Sequence, residues 1–301
     1  MLPVLISIGP LAISSFGFFL ALAFLYGSFL VWRLARAWDL PEEKVLDLIL
    51  LTFFGGLIGA RLFFVSLNLD FFSQNLLAIL LITKYPGLNF WGGLLGGWLT
   101  LFYLARRLNL SFWQVADLAA IGFLGGLILG DIGCFLGGCG VGVASNAFFA
   151  TPVVGVVGKR FPIQILEAIM VAIILAKLWK SAIKFHFQGK IAGLALISLG
   201  LVKLILEFLR MSPRGFPSFG GQVLSLVTVV LGLFIFYSLS RRNIWEDITS
   251  LTDSRSRKAI LVATRKNWYN QRIIWALRLK RIKASRILRR INVKPTPKDI
   301  Q

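Results

Sequence analysis

Seven polar side chains interrupt otherwise apolar stretches of this sequence: Arg61, Asp131, Gln164, Glu167, Lys203, Glu207 and Arg210. Ionisable groups are costly inside a membrane and mark sites by default. Cations among them would clamp an anion such as a phosphate. A carboxylate would take the proton of a nucleophile. The plainer reading is two buried pairs that fix packing, Arg61 with Glu167 and Lys203 with Glu207. The second is an i, i+4 pair on one helix, which supports itself locally.

Two glycine-rich segments accompany these residues. GFLGGLILGDIGCFLGGCGVG covers 122–142 and contains Gly133, Gly138 and Gly142. Its first glycines read as close helix packing. Around Gly138 to Gly142 the helix is expected to end and to bare backbone N–H groups to an anion. In NFWGGLLGG, residues Trp91, Gly92 and Gly93 open a helix whose N-terminus would receive a phosphate. Cys134 and Cys139 are too few for a disulfide framework and are read mainly as small packing residues. A redox or metal pair is the other reading, although CxxxxC without a nearby histidine is weak for a metal.

The elements that position these groups are apolar runs. The chain has 301 residues, 57% hydrophobic and only 15% charged. Runs of about 20 apolar residues match a hydrocarbon core about 30 Å thick. They are too continuous for barrel strands. We read an all-α polytopic membrane protein with about seven spans, near 11–32, 45–68, 90–108, 116–137, 163–180, 190–209 and 220–240. The first span lacks a basic n-region and a cleavage site, and is expected to be retained.

Loop charge sets the orientation. Residues 1–10 carry no charged side chain, whereas Arg33, Arg36 and Lys44, then Arg106 and Arg107, then Lys177, Lys180, Lys184 and Lys190 flank alternate loops. By the positive-inside rule the N-terminus is outside and the C-terminus inside. The polar residues above then gather at the outer face. Only Asp117 lies toward the inner side, and the lone His186, in the inner loop after the fifth span, is read as interfacial and without catalytic role.

Residues 1–240 thus form a membrane domain and 241–301 a basic cytoplasmic extension. That extension holds 17 Lys/Arg against 4 Asp/Glu, the greater part of the net charge of +20. Its segment NWYNQRIIWALRLKRIKASRILRRI looks helical. A helix lying on anionic membrane lipid is the favoured reading, and contact with ribosomal or other nucleic acid the second.

In order along the chain, these segments resemble those of the prolipoprotein diacylglyceryl transferases. GARLFFV (59–65), NFWGGLLGG (89–97), GDIGCFLGGCGVG (130–142), FPIQILEA (161–168), LGLVKLILEFLR (199–210) and SFGGQVLSL (218–226) each resemble a family segment, and ISSFG (13–17) stands where the family opens its first span. The resemblance implies a seven-span bacterial inner-membrane enzyme. Such an enzyme moves a diacylglyceryl group from phosphatidylglycerol to the lipobox cysteine thiol of a preprolipoprotein. It implies no cofactor or metal, and we expect a monomer.

The departures fall at the site. The family's HGG histidine is Trp91 and the arginine of its GRIGN signature is Asp131. The asparagine of that signature is Cys134, the following acid Cys139, and the first-span tyrosine Phe16. The sixth-span arginine is Lys203, with Glu207 and Arg210 kept. The resemblance thus implies Arg61, Lys203 and Arg210 as a phosphate clamp and Glu207 or Asp131 as the base. The substituted positions motivate a second reading, a non-catalytic descendant that binds or handles lipid.

Overall fold

The computed structural model describes residues 4–8, 11–81, 85, 87–153, 157–184, 186–210 and 219–240. These belong to one unit of the chain, Met1–Arg241; the second unit, Arg242–Gln301, falls outside them. The predicted basic tail helix, with its lipid and nucleic-acid readings, therefore lies outside the described residues.

Among the described residues, seven long helices form where the apolar runs stand: α1 (Ser15–Ala37), α2 (Glu42–Ser66), α4 (Phe90–Arg107), α5 (Phe112–Gly137), α6 (Ile163–Ala182), α7 (Lys190–Glu207) and α8 (Phe219–Ser240). A single turn, α3 (Leu69–Phe72), and a 3-10 turn at Leu76–Ile79 lie between α2 and α4. Among the described residues, four helices are long and apolar enough to cross a membrane: α1, α2, α5 and the Gly220–Ser240 part of α8. The other three are 18 to 20 residues long and carry charged residues.

The all-α expectation needs one correction. β1 (Val4–Ile8) and β2 (Leu11–Ser14) form an antiparallel hairpin, so the first helix begins at Ser15 rather than at residue 11. Ser14 stops the strand and starts the helix, its Oγ accepting the Gly17 N–H at 3.1 Å. A second small pair joins β3 (Thr151–Pro152) to β4 (Lys159–Arg160). Apolar periodicity carries little information in such short strands.

Helix α5 is the hub, packed on α1, α4, α6 and α7. Its buried Leu118, Ile121 and Leu124 meet Leu34 of α1, Val171 of α6 and Ile191 of α7 in one core. Small residues allow close approach of backbones in lipid, where no hydrophobic force drives helices together. A Cβ at Gly27 of α1 would stand 2.7 Å from the Gly122 carbonyl oxygen of α5. A Cβ at Gly59 of α2 would stand 2.6 Å from the Gly92 oxygen of α4. Helix α8 packs on α7 in the same way through Gly193 and Gly232.

The helix end remote from the predicted site is fixed by Asp117. Its Oδ2 accepts the Gly189 N–H at 2.8 Å and its Oδ1 the Ala192 N–H at 2.7 Å. A carboxylate on α5 thereby satisfies the bare amides that open α7. His186 Nε2 stands 3.6 Å from the same Oδ2.

Candidate functional site

The C-terminus of α5 builds the floor of the site. Gly138 ends the helix in the left-handed region, at φ 77°, and turns the chain back on itself. This turn brings Cys139 onto Cys134, and the two form a disulfide with Cα atoms 5.1 Å apart. The cysteines are thus a covalent clasp on the helix end, rather than the packing residues expected. Gly140 follows, again at positive φ. Gln164, in the first turn of α6, donates through its amide to the carbonyls of Cys139 and Gly140, the latter at 2.8 Å. The chain then runs beside the end of α7, with Val143 N–H donating to Leu209 O at 3.0 Å. A side chain at Gly142 would collide with the Phe161 backbone, so only glycine fits there.

Charged groups from three helices meet above this floor. Lys203 Nζ of α7 lies 2.6 Å from Glu167 Oε1 of α6. The same Nζ sits 3.9 Å from the centroid of the Phe90 ring, at the first residue of α4. Arg210 Nε is 3.8 Å from Glu207 Oε2. Arg210 Nη2 comes near Gly140, 3.8 Å from where its Cβ would stand. Glu167, Lys203 and Arg210 all act electrostatically on the Asp131 carboxyl. Asp131 is 7% exposed and its Oδ2 has no hydrogen-bond partner.

The pairing differs from the one predicted. Lys203 reaches across to Glu167 on the neighbouring helix, and Arg210 stands by Glu207. Among the described residues no ion pair joins Arg61 to an acid. The Arg61 guanidinium, buried between α2 and the chain leading to α4, donates to the carbonyls of Ala78, Ile79, Tyr85 and Gly87 at 2.7–3.0 Å. The Phe64 and Phe72 rings flank it. Arg61 therefore fastens the α2–α4 connection, with four of its five N–H groups in use.

The start of α4 is also occupied. The Trp91 and Gly92 amides donate to Asn89 Oδ1 at 2.9 and 3.3 Å, and Gly93 N–H to Asn89 O at 3.0 Å. A phosphate would find these three amides already satisfied, which corrects the expectation for this N-terminus. Gly92 is buried against Phe63 and Gly59, and Gly93 faces Ala60. Phe16 of α1 packs beside Gly133 and Gly137 of α5. The structure thus gathers Asp131, Gln164, Glu167, Lys203, Glu207 and Arg210, and assigns Phe16, Gly92, Gly93 and Gly133 to helix contacts. Sequence reasoning missed Phe90, although it stands next to the singled-out Trp91.

The chain has known relatives. The sequence profile described as prolipoprotein diacylglyceryl transferase matches residues 3–238. The chain belongs to this family. A phosphatidylglycerol–prolipoprotein diacylglyceryl transferase of Vibrio cholerae is 31% identical over 258 residues, covering 81% of this chain and 94% of the relative. One of the same name from Solidesulfovibrio magneticus is 31% identical over 256 residues, covering 80% and 94%. Another from Aliivibrio fischeri is 30% identical over 270 residues, covering 85% and 96%. The region matched by the diacylglyceryl transferase family runs from the β1–β2 hairpin into α8.

Proposed function

We propose that the chain transfers a diacylglyceryl group from phosphatidylglycerol to the lipobox cysteine thiol of a preprolipoprotein. The observation that carries this is a cluster at one end of the helices, in a member of a transferase family: buried Lys203, Glu167, Glu207 and Asp131, with the partly exposed Arg210 beside them. The chain acts as a multi-pass protein of the bacterial plasma membrane, with seven spans, N-terminus out and C-terminus in. The cluster then faces the outer leaflet.

The chemistry needs a proton acceptor and a phosphate clamp. Glu207 takes the proton of the lipobox thiol. The thiolate sulfur attacks the glycerol carbon that bears the phosphate ester, forming a C–S bond as the C–O bond breaks. The electron pair of that bond leaves with glycerol phosphate. Arg210 holds the phosphate with its guanidinium N–H groups, Nε–H among them, since that nitrogen makes no hydrogen bond. Lys203 supports it from its place between Glu167 and Phe90, since an ammonium has three donors. Lys203 acts where water is scarce, which strengthens its effect on the departing charge.

The test is expression in cells depleted of their own transferase. Lipidated lipoprotein is expected with the unaltered chain and lost with Glu207→Ala or Lys203→Ala at equal membrane levels. Lipidation that survives both substitutions overturns these roles. Absence of lipidation with the unaltered chain overturns transfer and leaves lipid binding as the function.

A further inference from the structure

We propose that Asp131 reads the head group of the donor lipid, so that the lipid held at this site carries a hydrogen-bond donor beyond its phosphate, a hydroxyl or an ammonium. This rests on the reading that the site binds a phospholipid. The argument starts from matched charges. The cluster's two cations each stand by an acid of their own, Lys203 by Glu167 and Arg210 by Glu207. Asp131 is the third acid and has no cation of its own. Its side chain is more than nine-tenths buried, and Oδ2 meets no donor.

Two donors of the cluster are turned elsewhere. The Gln164 amide is turned toward the Cys139 and Gly140 carbonyls. The Lys203 ammonium lies against Glu167 and the Phe90 ring. A buried carboxylate oxygen without a partner is costly, and native structures rarely keep one without a ligand or a role. The backbone beside it is open, since a Cβ at Gly130 would meet nothing within 4 Å.

The Arg210 side, by contrast, is set for an anion. Its Nε is buried and makes no hydrogen bond, and its Nη2 lies near Gly140. Phosphate at Arg210 and a donor at Asp131 would use both unsatisfied groups at once. A head group with phosphate alone would leave Asp131 as it stands.

The test uses the full chain in detergent, offered equal amounts of phosphatidylglycerol, phosphatidylethanolamine and phosphatidylmethanol with identical acyl chains. Lipid retained on the protein is counted by native mass spectrometry. Phosphatidylglycerol supplies hydroxyls, phosphatidylethanolamine an ammonium, and phosphatidylmethanol neither. At least one donor-bearing lipid is expected to exceed phosphatidylmethanol by about tenfold, the scale of one hydrogen bond to a charged group. Which of the two leads identifies the donor as hydroxyl or ammonium. Asp131→Ala is expected to bring the ratio near one while lipid is still retained. Asp131→Asn, which keeps the shape and one acceptor oxygen, should fall between.

Equal retention of phosphatidylmethanol by the unaltered chain overturns the proposal, as does an unchanged ratio in Asp131→Ala or retention of no lipid. The count needs no turnover. Discrimination without lipidation in cells would therefore overturn the transferase reading alone, and lipidation without discrimination would overturn this one alone.

Discussion

Lys203 and Glu167 show what the buried charges cost and what they fix. Both are almost fully buried, so each is the other's charge partner away from water. Removing one partner strands the other, which in buried pairs costs about 3–5 kcal/mol. Glu167→Ala is therefore expected to lower thermal stability in detergent sharply. The double change Glu167→Leu with Lys203→Met should recover most of that loss, because it strands no charge. Equal losses in the single and double variants would contradict a buried pair. Charges were the legible part of the site, since a carboxylate or ammonium in an apolar run is conspicuous. Their partners were not. Arg61 is bound by four backbone carbonyls, and carbonyls have no letter in a sequence. The Cys134–Cys139 bond depends on the left-handed turn at Gly138, a three-dimensional fact that residue spacing alone left open.

At the scale of elements, glycines decide which helices touch. The pairing of α2 with α4 runs through Gly55, Gly59, Gly92 and Gly96, where backbones are too close for side chains. A Cβ at Gly59 would stand 2.6 Å from the Gly92 oxygen and 2.7 Å from the Gly96 Cα. Both neighbours are backbone and cannot swing aside. Gly59→Ala is expected to cost about 1–3 kcal/mol, as overpacking does. Gly97→Ala is the control, since its Cβ would have no neighbour closer than 3.9 Å. A thermal shift as large for Gly97→Ala as for Gly59→Ala would contradict this packing. The helices themselves were legible from apolar runs, each falling within a few residues of its expected place. The β1–β2 hairpin was not, because a short apolar stretch before a helix reads as more helix.

For the whole molecule, alternating loop charge supports an N-out, C-in topology through seven spans. Phosphatase reporters fused at Asn75 or Ser145 are expected to be active, and those at Asp39, Leu110 or Lys184 inactive. The reverse pattern would place the charge cluster on the inner face, away from the outer leaflet. Membership of the transferase family and the charge cluster together underlie our central proposal, that this chain performs the transfer through Glu207, Lys203 and Arg210. The most direct measurement uses the purified chain, phosphatidylglycerol labelled in its head group, and a lipobox peptide. Release of labelled glycerol phosphate is measured together with formation of the peptide thioether. The account predicts both products in equal amounts from the unaltered chain and neither from Glu207→Gln. Release without thioether, or equal yield from Glu207→Gln, would contradict it.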